Sequence, residues 1–245
     1  MLSIVIPTRN KYPYLDKTLE SISNQINIPK FEVIIINNNS NDDTDTLFYK
    51  YRNKLDFSWI SSHSNKIKTY NKAKDINLGV KRAKYPIITL IDSDVLLHPK
   101  FLIQTLNKID RVDKICHNVY YLDQWTTNNI LNNKININYD YKQLNRAKMR
   151  RIGKNILGNS HQTLSKELFL RVKYDESYEG YGCEDLDFNL RLSKYVKTSV
   201  VGEDCFHLFH PTNNSVDWRN PIDLARNKEK YDNLVRSFDL KIETF

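Results

Sequence analysis

The residues of this 245-residue chain whose types and spacing suit them to chemistry are its carboxylate pairs and two late histidines. Asp-x-Asp occurs at Asp43/Asp45, Asp92/Asp94 and Asp185/Asp187, and position in the sequence separates the three. Asp43 and Asp45 follow the Asn-rich turn Asn37 to Asn41 and fall in the first turn of a helix, where carboxylates complement the helix dipole without doing chemistry. Asp92 and Asp94 follow the apolar run Ile87 to Ile91, and strand alternation projects both to one side. Two carboxylates so placed repel each other unless a cation sits with them. Strand ends of open α/β sheets are also where ligands bind, which points to a metal and a diphosphate.

Glu184 and Asp185 follow a turn carrying Gly180 and Gly182, and from a first helical turn both can face a cleft. Helix capping is the plain alternative. The sharper one is a general base, since a partly desolvated carboxylate beside an acidic neighbour is suited to take a hydroxyl proton. His207 and His210 lie three apart in the strand-like stretch Cys205 to Pro211. That spacing puts them on opposite faces, so one histidine, not both, is expected beside Asp94 unless the chain bends.

The elements that must position these groups alternate through the first 110 residues between β-branched runs and amphipathic stretches, the pattern of a parallel sheet with crossover helices. Strands are predicted at Leu2 to Pro7, Phe31 to Ile36, Phe57 to Ile60 and Pro86 to Ile91. A helix is read from Leu15, Leu19, Ile22 and Ile26, a second opens near Asp42, and a third covers Lys72 to Ala83. Three polar clusters, Thr8 to Asn10, Asn37 to Asn41 and Asp92 to Asp94, thus fall on strand ends. In the second half, Asp123 to Arg151 is Asn-rich and reads as irregular loop. Helices are predicted at Lys166 to Val172, Cys183 to Lys194 and from Pro221, and strands at Thr198 to Val201 and Cys205 to Phe209.

Composition narrows the class. With 15 Tyr, 10 Phe and 3 Trp in 40% hydrophobic residues, there is apolar material for a core rather than a disordered chain. No apolar run approaches the roughly 18 residues of a membrane span, and no signal-peptide pattern opens the sequence. Cys116, Cys183 and Cys205 form no CxxC pair, so neither a disulfide framework nor a zinc knot is expected, and a reducing cytoplasm is the predicted location. Neither GxGxxG nor GxxxxGK[ST] occurs, so a nucleotide's phosphates would need a divalent ion on carboxylates. The net charge of +8 suits an anionic partner of some kind. Arg146, Lys148, Arg150, Arg151 and Lys154 cluster as solvated surface, with a lid over a diphosphate or a track for an anionic glycan or membrane as alternatives.

Taken together, SIVIPTRN (3–10), FEVIIINNNSNDDT (31–44), NLGVKRAKYPIITLIDSD (77–94), GNSHQTLSKELFLRV (158–172), YDESYEGYGCEDLDFNLRL (174–192) and FHLFHP (206–211) resemble the GT-A family 2 nucleotide-sugar glycosyltransferases. The second half resembles the galactosyltransferase-type C-terminal module of bacterial chondroitin-type polymerases and animal β-1,4-galactosyltransferases. The resemblance implies one α/β GT-A domain over 1–245, with a Rossmann-like, mostly parallel central sheet flanked by helices and a smaller acceptor-side subregion. Residues 1–110 would form the nucleotide-sugar half and 111–245 the acceptor and catalytic half. It implies donor binding by Pro7, Thr8, Arg9, Asn10, Asn37, Asn38, Asn77, Asp92 and Ser93, and Mn2+ or Mg2+ held by Asp94 and His207, with Asp92 and His210 as second choices. Asp185 is implied as the base that deprotonates the acceptor hydroxyl, with Glu184, Tyr181 and Gly182 contacting the acceptor.

The implied reaction is inverting transfer from a UDP-sugar to a hydroxyl of a glycan or lipid-linked acceptor, which would allow peripheral contact with the inner face of a membrane. Because the extra modules of the polymerases are missing from 245 residues, a single transfer is expected rather than a processive one. The sequence departs from the family pattern at Asn37 and Asn38, where an Asp is usual, although an amide also pairs with a pyrimidine edge. Tyr181 and Cys183 replace the commoner Trp and Gly. Rival classes fit less well. A nucleic-acid binder needs a basic stripe interleaved with aromatics, a nucleotidyltransferase needs a glycine-rich phosphate loop after the first strand, and a non-catalytic carbohydrate-binding relative would not need Asp92, Asp94, Asp185 and His207 intact.

Overall fold

The computed structural model describes residues 1–27, 30–62, 70–137, 144, 150–151, 160–211 and 220–237. The β-branched run that opens the chain forms β1 (Leu2–Thr8), and α1 (Tyr12–Ser23) leads into β2 (Phe31–Asn37). A 3₁₀ turn (Asp43–Asp45) and α2 (Thr46–Tyr51) precede β3 (Phe57–Ser61), and α3 (Lys72–Arg82) precedes β4 (Ile87–Leu90). Then follow β5 (Val95–Leu97), α4 (Phe101–Ile109), β6 (Lys114–Tyr121), α5 (Gln124–Leu131), β7 (Arg150–Arg151), β8 (Gln162–Ser165), α6 (Lys166–Val172), α7 (Glu184–Leu192), β9 (Ser199–His207) and α8 (Pro221–Ser237).

The strands form one sheet in the order β3-β2-β1-β4-β8-β6-β9-β5, with β7 paired to β6. Strands β1 to β4 are mutually parallel, β8 runs antiparallel to both β4 and β6, and β9 is parallel to β6 and antiparallel to β5. The α/β reading with a mostly parallel sheet therefore holds. Strands this apolar are buried on both faces. Ile4, Ile6, Val33 and Ile35 pack under α1, α2 and α4, and their alternates Val5, Ile34 and Ile36 pack under α3, α6 and α7 with Phe169 and Phe188. Helix α3 approaches its strands closely because residue 79 is glycine: a Cβ there would lie 2.5 Å from Val5 Cγ1 and from Ile36 Cδ1. The chain order reverses direction at β1, and the gap between the carboxyl ends of β1 and β4 is the kind of switch point where a cleft opens.

Several local expectations change. Helix α1 stops at Ser23, where Asn24 caps it, so Ile26 lies beyond its last turn and is 44% exposed. The two strands read at Thr198 to Val201 and Cys205 to Phe209 are one, Ser199–His207, whose pairing with β6 shifts register between Val201 and Asp204; glycine fits at 202 in that irregularity, where a Cβ would meet Ile115 and His117 of β6. The Asn-rich region is not wholly irregular. Asp123 accepts from the Thr126 N–H and caps α5, which buries Ile130 beside Phe206 and Leu208. Asparagines next to an Asp cap hide a helix from composition-based reading. The cluster residues Arg146, Lys148 and Lys154 lie outside the described residues, and Arg150 and Arg151 are described only as the backbone of β7.

Candidate active site

A cleft of about 280 Å³ lies at the carboxyl ends of β1 and β4. Pro7, Arg9 and Lys11 border it from the end of β1, and Asp92, Ser93 and Asp94 from the turn between β4 and β5. The start of α3 adds Tyr70 and Lys72, β6 adds Tyr121, and the approach to β8 adds Ser160 and His161. The turn into α7 contributes Gly180, Tyr181, Glu184 and Asp185, and the end of β9 contributes His207 and His210. The strands and helices that flank these residues have their apolar faces in the cores, so strand ends and helix starts hold polar side chains at one mouth.

The metal-side geometry rests on Asp94. His207 Nε2 lies 3.4 Å from Asp94 Oδ1, and His210 Nε2 lies 3.2 Å from Asp94 Oδ2. The odd spacing does not separate the two histidines, because β9 ends at His207 and the chain bends before His210. The ring centroids come within 5.2 Å. Pairing of β5 with β9 sets Val95 opposite His207, and the Leu208 N–H donates to the Asp94 carbonyl at 2.9 Å, which fixes the two segments against each other. Asp94 Oδ1 is buried and has no hydrogen-bond partner among the described residues. Neighbouring ligands of an ion that holds each at about 2.1 Å stand about 3 Å apart, so the carboxylate and two imidazoles fit a divalent cation. Lys11 Nζ also contacts Asp94 Oδ2, at 3.0 Å. Burial would raise the Asp94 carboxyl, but His207 and Lys11 outweigh it and hold it well below the usual range.

Asp92 faces other partners. It accepts from Ser160 Oγ at 3.0 Å and lies 3.0 Å from Lys72 Nζ and 3.4 Å from His161 Nε2. Burial pushes its carboxyl up, and Lys72 and His161 bring it down to about 2. Burial keeps His161 below its ordinary value despite Asp92. Lys72 reaches across the cleft to Asp185 Oδ2 at 3.2 Å, and the Tyr174 hydroxyl donates to Asp185 Oδ1 at 2.8 Å. Burial lowers the Lys72 ammonium, but Asp185 and Asp92 more than reverse that and raise it well above normal. Glu184, at the first position of α7, is raised to about 7 by burial first and the Asp185 charge second.

The turn that delivers this pair needs left-handed backbone. Gly180 has φ 76° and Gly182 φ 99°, and Cys183 adopts φ 70° just before the helix. At Gly180 a Cβ would stand 2.6 Å from Asp223 Cγ of α8, so only glycine passes there without displacing the helix.

The cleft thus gathers Pro7, Arg9, Asp92, Ser93, Asp94, Tyr181, Glu184, Asp185, His207 and His210 from the expected residues. Thr8, Asn10, Asn37, Asn38, Asn77 and Gly182 do not border it. Asn37 Nδ2 donates to Asp45 at 2.7 Å, and Asn38 Nδ2 to Asp75 Oδ2 at 2.8 Å, so both amides are engaged in holding the end of β2. Burial raises the Asp75 carboxyl to about 6 against the pull of Asn38 and Ser62. Asn10 is a turn residue with φ 52° whose Oδ1 accepts from the Asn41 N–H. Asn77 donates to the Tyr174 carbonyl at 2.9 Å and accepts from its N–H at 3.0 Å, which ties the loop before α7 to α3. Asn77 thus braces the loop that leads into α7, the helix that carries Asp185.

The sequence reading missed Lys11, Lys72, Tyr70, Tyr121, Ser160 and His161. Lys72 sits on the first turn of a helix whose preceding residue, Asn71, caps it, and that signal marks a side chain at a helix mouth. His161 stands next to Ser160 in the stretch 158–172, where its type and spacing alone signal no chemistry.

A sequence model described as "Glycosyl transferase family 2" matches residues 3–171, the span that builds β1 through α6. The chain belongs to glycosyl transferase family 2. This family 2 chain is 26% identical over 223 residues to the chondroitin synthase of Pasteurella multocida (strain Pm70), covering 78% of its own length and 23% of that protein. It spans less than a quarter of that relative. Among solved structures, Staphylococcus aureus TarS 1-349 in complex with UDP-GlcNAc superposes with a TM-score of 0.71 at 17% identity, over 99% of this chain and 68% of that one. Mannosyltransferase PcManGT from Pyrobaculum calidifontis, in complex with GDP-Man and Mn2+, gives 0.63 at 15% identity, over 96% of this chain and 64% of that one. These likenesses are of fold, and the fold and family are those of a glycosyltransferase. No helix among the described residues is long and apolar enough to cross a membrane.

Proposed function

We propose that the cleft carries out metal-dependent, inverting transfer of a sugar from a nucleoside-diphosphate donor, a UDP-sugar, to a hydroxyl of a glycan or lipid-linked acceptor. The observation that carries the reading is the placement of the Asp94–His207–His210 cluster and the Glu184–Asp185 pair in one cleft, with Lys72 between the two sides. Asp185 accepts the proton of the acceptor hydroxyl as its oxygen bonds to the anomeric carbon. The bond from that carbon to the diphosphate breaks on the opposite face, the electron pair leaves with the diphosphate, and the anomeric centre inverts. A divalent ion on Asp94, His207 and His210 supplies, when bound, positive charge beside the leaving group. Two imidazoles beside one carboxylate favour Mn2+ over Mg2+, which prefers oxygen ligands. Arg9 and Lys11 add fixed positive charge at the same mouth, where it stabilises the departing anion.

Donor and acceptor classes draw support from the TarS likeness and the chondroitin synthase identity, since the first is a complex with UDP-GlcNAc and the second a glycan-making enzyme. A galactosyltransferase-type second half is part of the proposal, with Tyr181 at the mouth as the acceptor-side ring. The test is a screen of UDP- and GDP-sugars with Mn2+ and with EDTA, reading donor hydrolysis and thermal shift. A UDP-sugar response lost with EDTA and in Asp94→Ala supports the reading. A response indifferent to EDTA removes the metal, a GDP-sugar response removes the uridine donor, and silence toward every donor removes the activity.

A further inference from the structure

Asp185 does not stand alone in the cleft. Both of its carboxylate oxygens are already engaged, Oδ1 by the Tyr174 hydroxyl at 2.8 Å and Oδ2 by Lys72 Nζ at 3.2 Å. The two donors come from different parts of the fold, Lys72 from the first turn of α3 and Tyr174 from the loop after α6. Neither is a loose surface contact. The side chain of Lys72 is 15% exposed, and Tyr174 is buried, stacked on Phe188 of α7 with ring centroids 4.3 Å apart. Asn77 in turn fixes the Tyr174 backbone to α3 from both its N–H and its carbonyl.

We propose that Lys72 and Tyr174 are positioning residues that clamp the Asp185 carboxylate in the orientation from which it takes the acceptor proton, and that Lys72 alone also ties that clamp to the donor side through Asp92. This rests on the assignment of Asp185 as base. A carboxylate on a short side chain rotates freely unless its oxygens are held, and a proton acceptor displaced by about 1 Å can lose on the order of 100-fold in rate. Lys72 holds one oxygen and lies 3.0 Å from Asp92 Oδ1, while Ser160 and His161, just before β8, steady Asp92 through Oδ2. The donor-side carboxylate and the base therefore share one ammonium. Of the two carboxylates, the Tyr174 hydroxyl contacts Asp185 and not Asp92 among the described residues, so the two clamps have separable signatures.

The experiment is a set of transfer assays with a UDP-sugar found active in the screen, on wild type, Lys72→Met, Lys72→Arg, Tyr174→Phe, Asp185→Asn, and Lys72→Met and Tyr174→Phe each combined with Asp185→Asn. Tyr174→Phe keeps the stacked ring and removes only the hydroxyl, so it tests the clamp without emptying the core. It is expected to lower kcat roughly 10-fold with KM for the donor unchanged, the scale of one lost hydrogen bond. Lys72→Met is expected to lower kcat about 100-fold and also raise the donor KM, and Lys72→Arg to recover a measurable part of both. In the Asp185→Asn background, Tyr174→Phe and Lys72→Met should cost little more in kcat, because residues that act through one group are not additive. If both keep their full kcat losses on top of Asp185→Asn, the clamp is wrong while the base stands. If Asp185→Asn alone keeps the wild-type rate, the base assignment fails first. Thermal melts of each variant separate a folding loss from either outcome.

Discussion

Replacing Glu184 with Gln should make the protein more stable at alkaline pH and leave it unchanged in acid. Glu184 sits at the mouth of α7 with Asp185 beside it, and burial plus that neighbouring charge lift its carboxyl from 4.5 to about 7. Lys72 pulls the other way without cancelling the rise. A carboxyl raised in the folded state binds a proton that the unfolded chain has already released. Its contribution to stability is therefore fully present below about 4.5 and is lost as pH rises through about 7. At about 1.4 kcal/mol per tenfold change in affinity, the full loss comes to about 3 kcal/mol. Gln has nearly the same shape and no charge to desolvate, so Glu184→Gln should exceed wild type by about that amount at pH 8 and match it at pH 4.5. Urea unfolding with EDTA present at pH 4.5, 6 and 8 measures the difference directly. In thermal melts it should read as about 6–12 °C at the alkaline end, given the usual scaling for a chain of this size. Equal stability of the two proteins at pH 8 would refute the reasoning, because the Glu184 carboxylate would then be solvated, and so would a Gln advantage independent of pH, because it would not come from titration of Glu184.

Other perturbations test the scaffold of the cleft. Gly180→Ala places a Cβ against Asp223 at a left-handed position, so a loss of about 2 kcal/mol or more is expected in chemical unfolding, together with a fall in transfer rate as the Tyr181 loop shifts. Asn77→Ala leaves the Tyr174 N–H and carbonyl without their partner and should cost about 1–3 kcal/mol. Titration calorimetry should find UDP affinity unchanged in that variant, whereas a direct donor contact at Asn77 would weaken it. Phe188→Ala empties a fully buried position between Phe169 and Tyr174 and should destabilise by about 3–5 kcal/mol, read by urea unfolding.

The half of the sheet that announces itself in sequence is the half buried on both faces. Ile4 to Ile6 and Val33 to Ile36 read as strands because nothing polar interrupts them, and Asp92 and Asp94 stand out because they end such a run. The remainder is written differently. Strand β6 carries Lys114, Cys116, His117 and Asn118 among its apolar residues, and β5 is only three residues long, so neither periodicity nor length marks them. Their polar groups are satisfied from distant elements, as Lys114 is by Asn189 of α7 and His117 by Thr163 of β8. Spacing alone also misjudged His207 and His210, because the ladder ends at the first of them and the rule of alternation ends with it. Lys72 was illegible for a related reason. A lysine at a helix start is ordinarily solvated, and only the tertiary approach of Asp92 and Asp185 turns it inward.

The pairing of β5 with β9 has a further consequence. Asp94 lies in the turn just before β5, in a part of the fold laid down early in chain order, whereas His207 ends the last strand, β9, and His210 follows it; β9 meets β5 across only three register pairs. A cation on these residues would act as a clasp between early and late parts of the chain, so part of its binding free energy would be free energy of closing the sheet edge. Amide hydrogen exchange at Val95 to Leu97 and Cys205 to Leu208 should then slow on adding Mn2+, while exchange in β1 and β2 stays as it was. Chelation would loosen a seam as well as remove a charge, and the ion's contribution to catalysis can be read cleanly only where that seam is known to have stayed shut.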